Sequence, residues 1–257
     1  MVSNSTLQKH LLECFDANRD GILSKKEALG ITVIVCNFLQ DPINGLDNFP
    51  NLEELYVAHG TFTSLDVSRN TKLRVLDCYN NNLTTLDLAN NLELERLSCS
   101  RGRIETIDLG NKPNLTALMC GENILTSLDL SGCYNLTQLD CSDNLITEID
   151  ISSIPDIYHL ACTDNQFEIL DVSKNLKLKN FLCNNNRLLT SIEVSNNTLL
   201  EFIVCQNTNI TNLSVNNNLK LRGLECQSNA NLDTLYLKTG QTIWHLNKDI
   251  HTTIVYL

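Results

Sequence analysis

Between residues 72 and 176 the apolar positions fall into five successive copies of one 21-residue pattern. The first copy, KLRVLDCYNNNLTTLDLANNL, sets Leu73, Leu76, Cys78, Leu83, Leu86 and Leu88 among polar residues. The later copies put Leu, Ile, Val, Phe or Cys at the same places. A fixed period of this size marks stacked coils, because one coil cannot bury its own apolar face and neighbouring coils must bury it for each other. Around Leu76 the residues alternate. Leu76 and Cys78 therefore share the inward face of a strand, while Val75, Asp77 and Tyr79 share the outward face. The second half of the pattern, L-T-x-L-D-L, also alternates and lacks a 3.6-residue period, which predicts a short strand or extended segment instead of a helix.

The Cys position extends the repeat along the chain as Cys36, Val57, Cys78, Cys99, Cys120, Cys141, Cys162, Cys183, Cys205 and Cys226. One residue is inserted near Arg187–Thr190. Three residues past the Cys, Asn recurs at 81, 123, 144, 165, 186 and 229, where the chain leaves the strand. An amide both donates and accepts, so a stacked Asn ladder is expected to satisfy the buried turn. Gly102 and Thr208 interrupt the ladder, and their coils are expected to be less regular. The last coil, 242–257, keeps Ile243 and Leu246 but loses the Cys and the Asn. Its β-rich end and Trp244 predict a strand that closes the stack.

Ahead of the repeats, Leu7, Leu11, Leu12 and Phe15 have helical spacing, with Asn4 or Ser5 as the cap. The next stretch matches a twelve-residue EF-hand calcium loop position for position. Asp16, Asn18 and Asp20 supply side-chain oxygens, Gly21 makes the sharp turn, Ile22 offers its carbonyl, Ser24 follows, and Glu27 closes the loop with a bidentate carboxylate. The alternatives are a metal-free acidic loop or a dockerin-type module, and the latter calls for a second loop that the sequence lacks. A short helix from Ser24 to about Leu29 ends at Gly30, and the β run ITVIVC begins the first coil. The expected division is a helix–calcium loop–helix cap over 1–30 and a solenoid of about ten 21–22-residue coils with a closing strand over 31–257.

The wording L-x-x-L-x-C-x-x-N-x-L-T-x-L-D-L-S-x-N is a leucine-rich-repeat consensus. It resembles the repeats of secreted and cell-surface proteins of Bacteroidetes-type bacteria, which often carry a segment like Phe15–Ala28 just before them. The resemblance implies a mostly β leucine-rich-repeat solenoid with a curved parallel sheet on its concave face, an extended or short-strand convex side, and a small helical EF-hand-like cap. It further implies an extracellular binding protein with Ca²⁺ at the cap, and it names no ligand.

Charge and chemistry narrow the function. A net charge of −11 disfavours nucleic acid and anionic membranes as partners. No apolar run approaches the ~20 residues of a membrane span. Residues 1–10 lack the basic and apolar regions of a signal peptide, so either the protein is intracellular or its signal lies outside this sequence. Of the eleven cysteines, nine stand in the repeat column and are expected to pack as free thiols, while Cys14 and Cys133 fall outside it without an assigned role. Seven N-x-S/T sequons, at Asn4, 82, 114, 135, 196, 209 and 212, follow mostly from the repeat's own wording. The five histidines are scattered, and no nucleophile-elbow, H-E-x-x-H or phosphate-loop pattern occurs. The repeated L-D-L aspartates read as a solvated face. A non-enzymatic, monomeric module that recognises a protein or glycan is therefore expected, with a scaffold of cryptic hydrolase activity or a purely structural surface protein as alternatives. Its contacts are expected on the outward strand positions, as an aromatic–acidic spot at Tyr56, Asp77 and Tyr79 and an apolar lane at Met119, Ala161, Leu182, Phe202 and Val204.

Overall fold

The structure, a computed structural model, describes residues 6–40 and 43–257. Asn4, with its sequon, and Ser5, the expected caps of the first helix, lie outside the described residues. The chain forms two compact units, the first running to Leu125 and the second from Thr126 to Leu257. Each unit is a parallel β-solenoid.

In the first unit, helix α1 spans Thr6–Phe15 and buries Leu7 and Leu11. Helix α2, Lys25–Leu29, is shorter and starts from a capping box. The Ser24 N–H and Oγ donate to Glu27 Oε2 at 2.9 and 2.7 Å, and the Glu27 N–H returns a bond to Ser24 Oγ at 3.3 Å. That exchange satisfies two of the backbone donors a helix start leaves open. Five three-residue strands then pair in parallel: Val33–Val35, Glu54–Tyr56, Val75–Asp77, Arg96–Ser98 and Ala117–Met119. Their register sets Ile34, Leu55, Leu76, Leu97 and Leu118 side by side, and all five are buried. The second unit repeats the arrangement with Gln138–Asp140, His159–Ala161, Asn180–Leu182, Phe202–Val204, Gly223–Glu225 and His245–Asn247. The convex halves carry short strands, Thr85–Asp87 beside Thr106–Asp108 in the first unit and Asn212–Ser214, Thr234–Leu237 and Thr253–Tyr256 in the second, with extended chain and turns elsewhere. No convex α-helix occurs among the described residues, and the first coil's return half carries one 3-10 turn, Leu46–Asn48.

Two Asn ladders hold the turns. In the first, Asn186 Nδ2 donates at 2.9 Å to the carbonyls of both Cys162 and Cys183, while its Oδ1 accepts from Phe167 N–H at 3.2 Å. The interruptions do not loosen their coils, contrary to the sequence expectation. Thr208 replaces the amide with a hydroxyl that donates to Cys205 O at 3.1 Å, and strand register continues unbroken on both sides. At Gly102 a Cβ would come within 2.6 Å of Asn123 Oδ1, and at Gly60 within 2.5 Å of Asn81 Oδ1, so glycine makes room for the next coil's amide. The second ladder stands at the end of the convex half. Asn70, Asn91, Asn175, Asn197 and Asn218 are buried there, each bonding two carbonyls of the preceding coil. Cys133 occupies this same column, at 0 % exposure, which explains the cysteine that the strand column left over. The L-D-L aspartates also have a structural task. Asp66, Asp87, Asp129, Asp150 and Asp171 each accept the N–H two residues on, at 2.9–3.0 Å, which folds the convex turn.

All eleven cysteines are free, and only Cys14 is exposed. The last coil ends the sheet without covering it. Trp244 is 84 % exposed, and Ile243, Leu246 and Ile254 stay partly exposed where the equivalent residues elsewhere are buried. Polar caps finish the turns instead: Lys248 Nζ donates to the Asp249 and Thr252 carbonyls, and the Asp249 carboxylate accepts from the Ser228 and Asn229 N–H groups.

Candidate partner-binding face

The outward strand positions form rows, because register repeats coil by coil. In the first unit one row runs Val35, Tyr56, Asp77, Ser98 and Met119. Tyr56 and Asp77 are direct neighbours. The Tyr56 hydroxyl donates to Glu54 Oε2 at 2.9 Å, a bond that also raises its pKa. Asp77 Oδ1 accepts the Tyr79 N–H at 3.1 Å. Tyr79 faces His59 edge-on at 5.3 Å, and the Arg101 guanidinium lies 5.5 Å from its ring centre. Arg101 in turn pairs with Glu122 at 2.7 Å. The expected aromatic–acidic spot is therefore assembled, and it is larger than the three residues read from the sequence.

The enlargement comes from a column the sequence reading passed over. The residue two beyond each Cys position has φ between 51 and 64° throughout: Phe38, His59, Asn80, Arg101 and Glu122 in the first unit, and Asp143, Asp164, Asn185, Asn207 and Ser228 in the second. Left-handed backbone is tolerable for Asn and Asp but costs more for Phe, His, Arg or Glu. Here each strand's ladder continues through it, as where Phe38 N–H reaches Ala58 O and His59 N–H reaches Tyr79 O, both at 2.8 Å. The turn throws the side chain outward at the rim of the sheet. Phe38, 69 % exposed, stacks on His59 at 5.3 Å and 14°. With Val33 and Val35 exposed on the first strand, this makes an apolar edge. Val33 and Val35 were legible as the outward columns counted from Cys36, whereas Phe38 belongs to the left-handed column, for which only its Asn and Asp members give a signal.

The apolar lane is less continuous than expected. Met119 belongs to the first unit. In the second, Ala161, Leu182 and Val204 follow one another in one row, with Asp140 before them and Glu225 after. Ala161 is buried, 6 % exposed, so it floors the lane without projecting from it. Phe202 stands in the adjacent row, beside Gly223, and is 45 % exposed. On the flank of this unit lies an open groove of about 400 Å³ lined by Thr137, Asp156, Tyr158, Lys177, Lys179 and Leu199. Its charges are balanced, since Lys177 pairs with Asp156 at 2.8 Å and Lys179 with Glu201 at 4.0 Å.

The loop between α1 and α2 is folded on its own polar groups. Asp16 Oδ2 accepts the Gly21 N–H at 2.8 Å, across a turn in which Gly21 has φ 79°. Asn18 Oδ1 and Asp20 Oδ1 accept the N–H two residues on, and Asn18 Nδ2 donates to Asp20 Oδ2. Glu27 Oε1 accepts the Ala17 N–H at 2.9 Å. Its pKa is held down chiefly by the Ser24 hydroxyl and Ser24 N–H. Among the described residues no group of three His, Cys, Asp or Glu side chains is gathered as a metal site. Asp16 Oδ1, however, is buried without a hydrogen-bond partner.

No protein-family model and no curated protein matches the sequence. Solved structures do. The functional domain of InlJ from Listeria monocytogenes, described as including a cysteine ladder, aligns with a TM-score of 0.71 and 24% identity over 90% of this chain. The chain spans 61% of that domain's length. The internalin InlF from Listeria monocytogenes aligns at 0.59 and 18% identity, covering 95% of this chain and 93% of that one. The leucine-rich-repeat ectodomain of the Arabidopsis thaliana receptor kinase GASSHO1/SCHENGEN3, solved with CASPARIAN STRIP INTEGRITY FACTOR 2, aligns at 0.66 and 16% identity over 86% of this chain and 30% of that one. The chain is a leucine-rich-repeat protein by fold. No helix among the described residues is long and apolar enough to cross a membrane.

Proposed function

We propose that this chain is a non-enzymatic recognition module that binds a protein partner through its outward strand rows, as a bacterial protein at or outside the cell surface. The observation that carries this reading is the contrast between columns. Inward positions hold Leu, Ile, Val, Phe and Cys almost without exception, whereas outward positions range from Tyr and Asp to Phe and Gly on a frame pinned by two Asn ladders. Variable side chains on a fixed frame suit a surface selected for one partner. Internalins and receptor ectodomains among the structural neighbours support a binding role, and the receptor ectodomain was solved with a protein ligand.

The same reading includes one structural Ca²⁺ in the 16–27 loop. The residues fit a cation: Asp16, Asn18, Asp20, Ser24 and Glu27 supply oxygens, and the Ile22 carbonyl completes the set. The unpartnered, buried Asp16 Oδ1 supports it, since a buried carboxylate oxygen is costly without a donor or a cation. Calcium there would supply positive charge to a loop rich in carboxylates and tie α1 to α2.

The test offers surface extracts to immobilised protein. Wild type and a convex control, Thr106→Asp, are expected to retain the same partner, and Leu182→Asp with Phe202→Asp is expected to lose it while still unfolding cooperatively. Equal retention by all three proteins refutes the outward-row assignment.

A further inference from the structure

The outward rows of the second unit have a lopsided charge. Asp140 and Glu225 stand on its strands, and Asp143 and Asp164 stand in the left-handed turns behind them. All eight lysines and arginines of residues 126–257 lie off these rows, and the base beside Glu225 is His245, whose Nε2 stands 3.3 Å from its Oε1 and is charged only when protonated. The first unit differs, because Arg96 and Arg101 stand there beside Glu54, Asp77 and Glu122. Between the carboxylates lies the lane of Leu182 and Val204, and next to it Phe202.

Phe202 is held in a specific way. Its ring lies over Gly223, so that a Cβ on Gly223 would meet Phe202 Cδ1 at 2.7 Å and Cε1 at 3.1 Å. Gly223 is the only glycine at this position of the strands in either unit. Its backbone is not left-handed, so conformational freedom does not demand a glycine there. What demands it is room for the Phe202 ring, whose Cδ1–Cε1 edge crowds the place a Cβ would take while the residue stays 45 % exposed. An exposed aromatic ring takes an apolar side chain or a cation, and the carboxylates of the adjacent row, Asp140 and Glu225, favour the cation.

We propose that the outward face of the second unit docks a cationic, amphipathic segment of a protein partner, with an apolar anchor along Leu182 and Val204, a side chain on the exposed ring of Phe202, and Lys or Arg reaching Asp140, Asp164 and Glu225. This rests on the outward-row reading above and names the partner's chemistry. Complementary charge of this kind raises association rate and selects against acidic partners more than it raises affinity.

The probe is a synthetic peptide alternating leucine and lysine around a central tryptophan, compared with the same peptide carrying glutamate for lysine. Binding is mapped by amide chemical shifts on the full chain and measured by calorimetry at low and high salt. The lysine peptide is expected to shift amides of the second unit's strands and the glutamate peptide is not. Gly223→Ala, which lifts the ring and keeps the fold, weakens binding by about tenfold, as expected for a hot-spot contact. Asp140→Asn with Glu225→Gln weakens it by about tenfold and flattens the salt dependence. Asp129→Asn with Asp171→Asn, on the convex side, leaves it unchanged. The proposal is overturned if the lysine peptide does not bind, if the convex pair matters as much as the concave pair, or if a chito-oligosaccharide shifts these amides when the peptide does not. The first and third of those results leave the outward-row reading standing, and the second counts against both. Shifts confined to convex amides overturn both.

Discussion

Alkaline pH should act on the buried thiol column before it acts on the rest of the protein. Burial pushes the thiols of Cys99 and Cys141 from 9.0 to about 12, and those of Cys78, Cys162, Cys183 and Cys205 also rise well above 9.0 because burial disfavours the thiolate. In the unfolded chain each ionises near the ordinary value. A raised native pKa gives stability that is complete below 9.0 and drains away as pH climbs toward 12. At ~1.4 kcal/mol per pH unit, each of the two thiols costs about 2 kcal/mol near pH ~10.5 and about 4 kcal/mol near pH ~12. The pair alone removes roughly 8 kcal/mol at the upper end, against a typical total of ~5–15 kcal/mol. Unfolding is therefore expected inside that window. Thiolate absorbance and circular dichroism, followed together, should stay flat and then change in one step. Tyr and Lys titrate nearby, so the control is Cys99→Val with Cys141→Val. Valine fits the column, as Val57 stands there fully buried in the second coil. The valine pair should move the midpoint to higher pH. Thiolate absorbance that rises near pH ~9 while the strand signal persists would refute the reasoning, because the thiols would then be accessible to solvent in the native state.

Asn186→Ala removes two donors and an acceptor from a buried turn and should cost about 3 kcal/mol in urea unfolding, while Asn186→Thr, following Thr208, should recover part of it. Gly60→Ala drives a Cβ to 2.5 Å from both Asn81 Oδ1 and the Leu39 carbonyl, and should cost about 3 kcal/mol, whereas Gly223→Ala, which meets only the Phe202 ring, should cost well under half as much. In millimolar calcium the wild type should melt higher than in chelator, by about 2.7 kcal/mol of stabilisation at a hundredfold excess over Kd. Asp16→Asn should abolish the difference without touching the α2 cap, and identical wild-type curves would leave Glu27 with its capping role alone. Labelling of the denatured, unreduced protein should find close to eleven thiols, and a count lower by several pairs would contradict the thiol column.

What repeats was legible, and what does not repeat was not. Leu76, Cys78 and Asn81 could be placed from sequence because each stands in a column read many times, so one substitution such as Val57 or Thr208 does not hide it. The left-handed column was invisible for the opposite reason. Phe38, His59, Arg101 and Glu122 share a backbone angle and no side-chain chemistry, and only the Asn and Asp residues at 80, 143, 164, 185 and 207 hint at it. The second Asn column was visible as the last Asn of the repeat wording, but with Lys112, Cys133 and Ile154 standing in its middle its role in tying neighbouring coils was not. The β-rich stretch after Trp244 does form strands, His245–Asn247 and Thr253–Tyr256, but the Trp244 ring is exposed and Lys248, Asp249 and Thr252 satisfy the turns there.

The two ladders also explain how such small side-chain differences can carry recognition. Where a ladder Asn stands, as at 186 and 197, the turn is tied to the previous coil by an amide bonding two carbonyls, so that coil cannot shift without breaking buried bonds. Outward residues thus keep their spacing whether or not a partner is present. A partner need not supply the free energy to order them, and the contribution of Phe202 or Glu225 to binding is not offset by backbone ordering. The same rigidity makes the face unforgiving. A ring lifted by one methyl group on Gly223 has no neighbouring strand that can move to restore the contact.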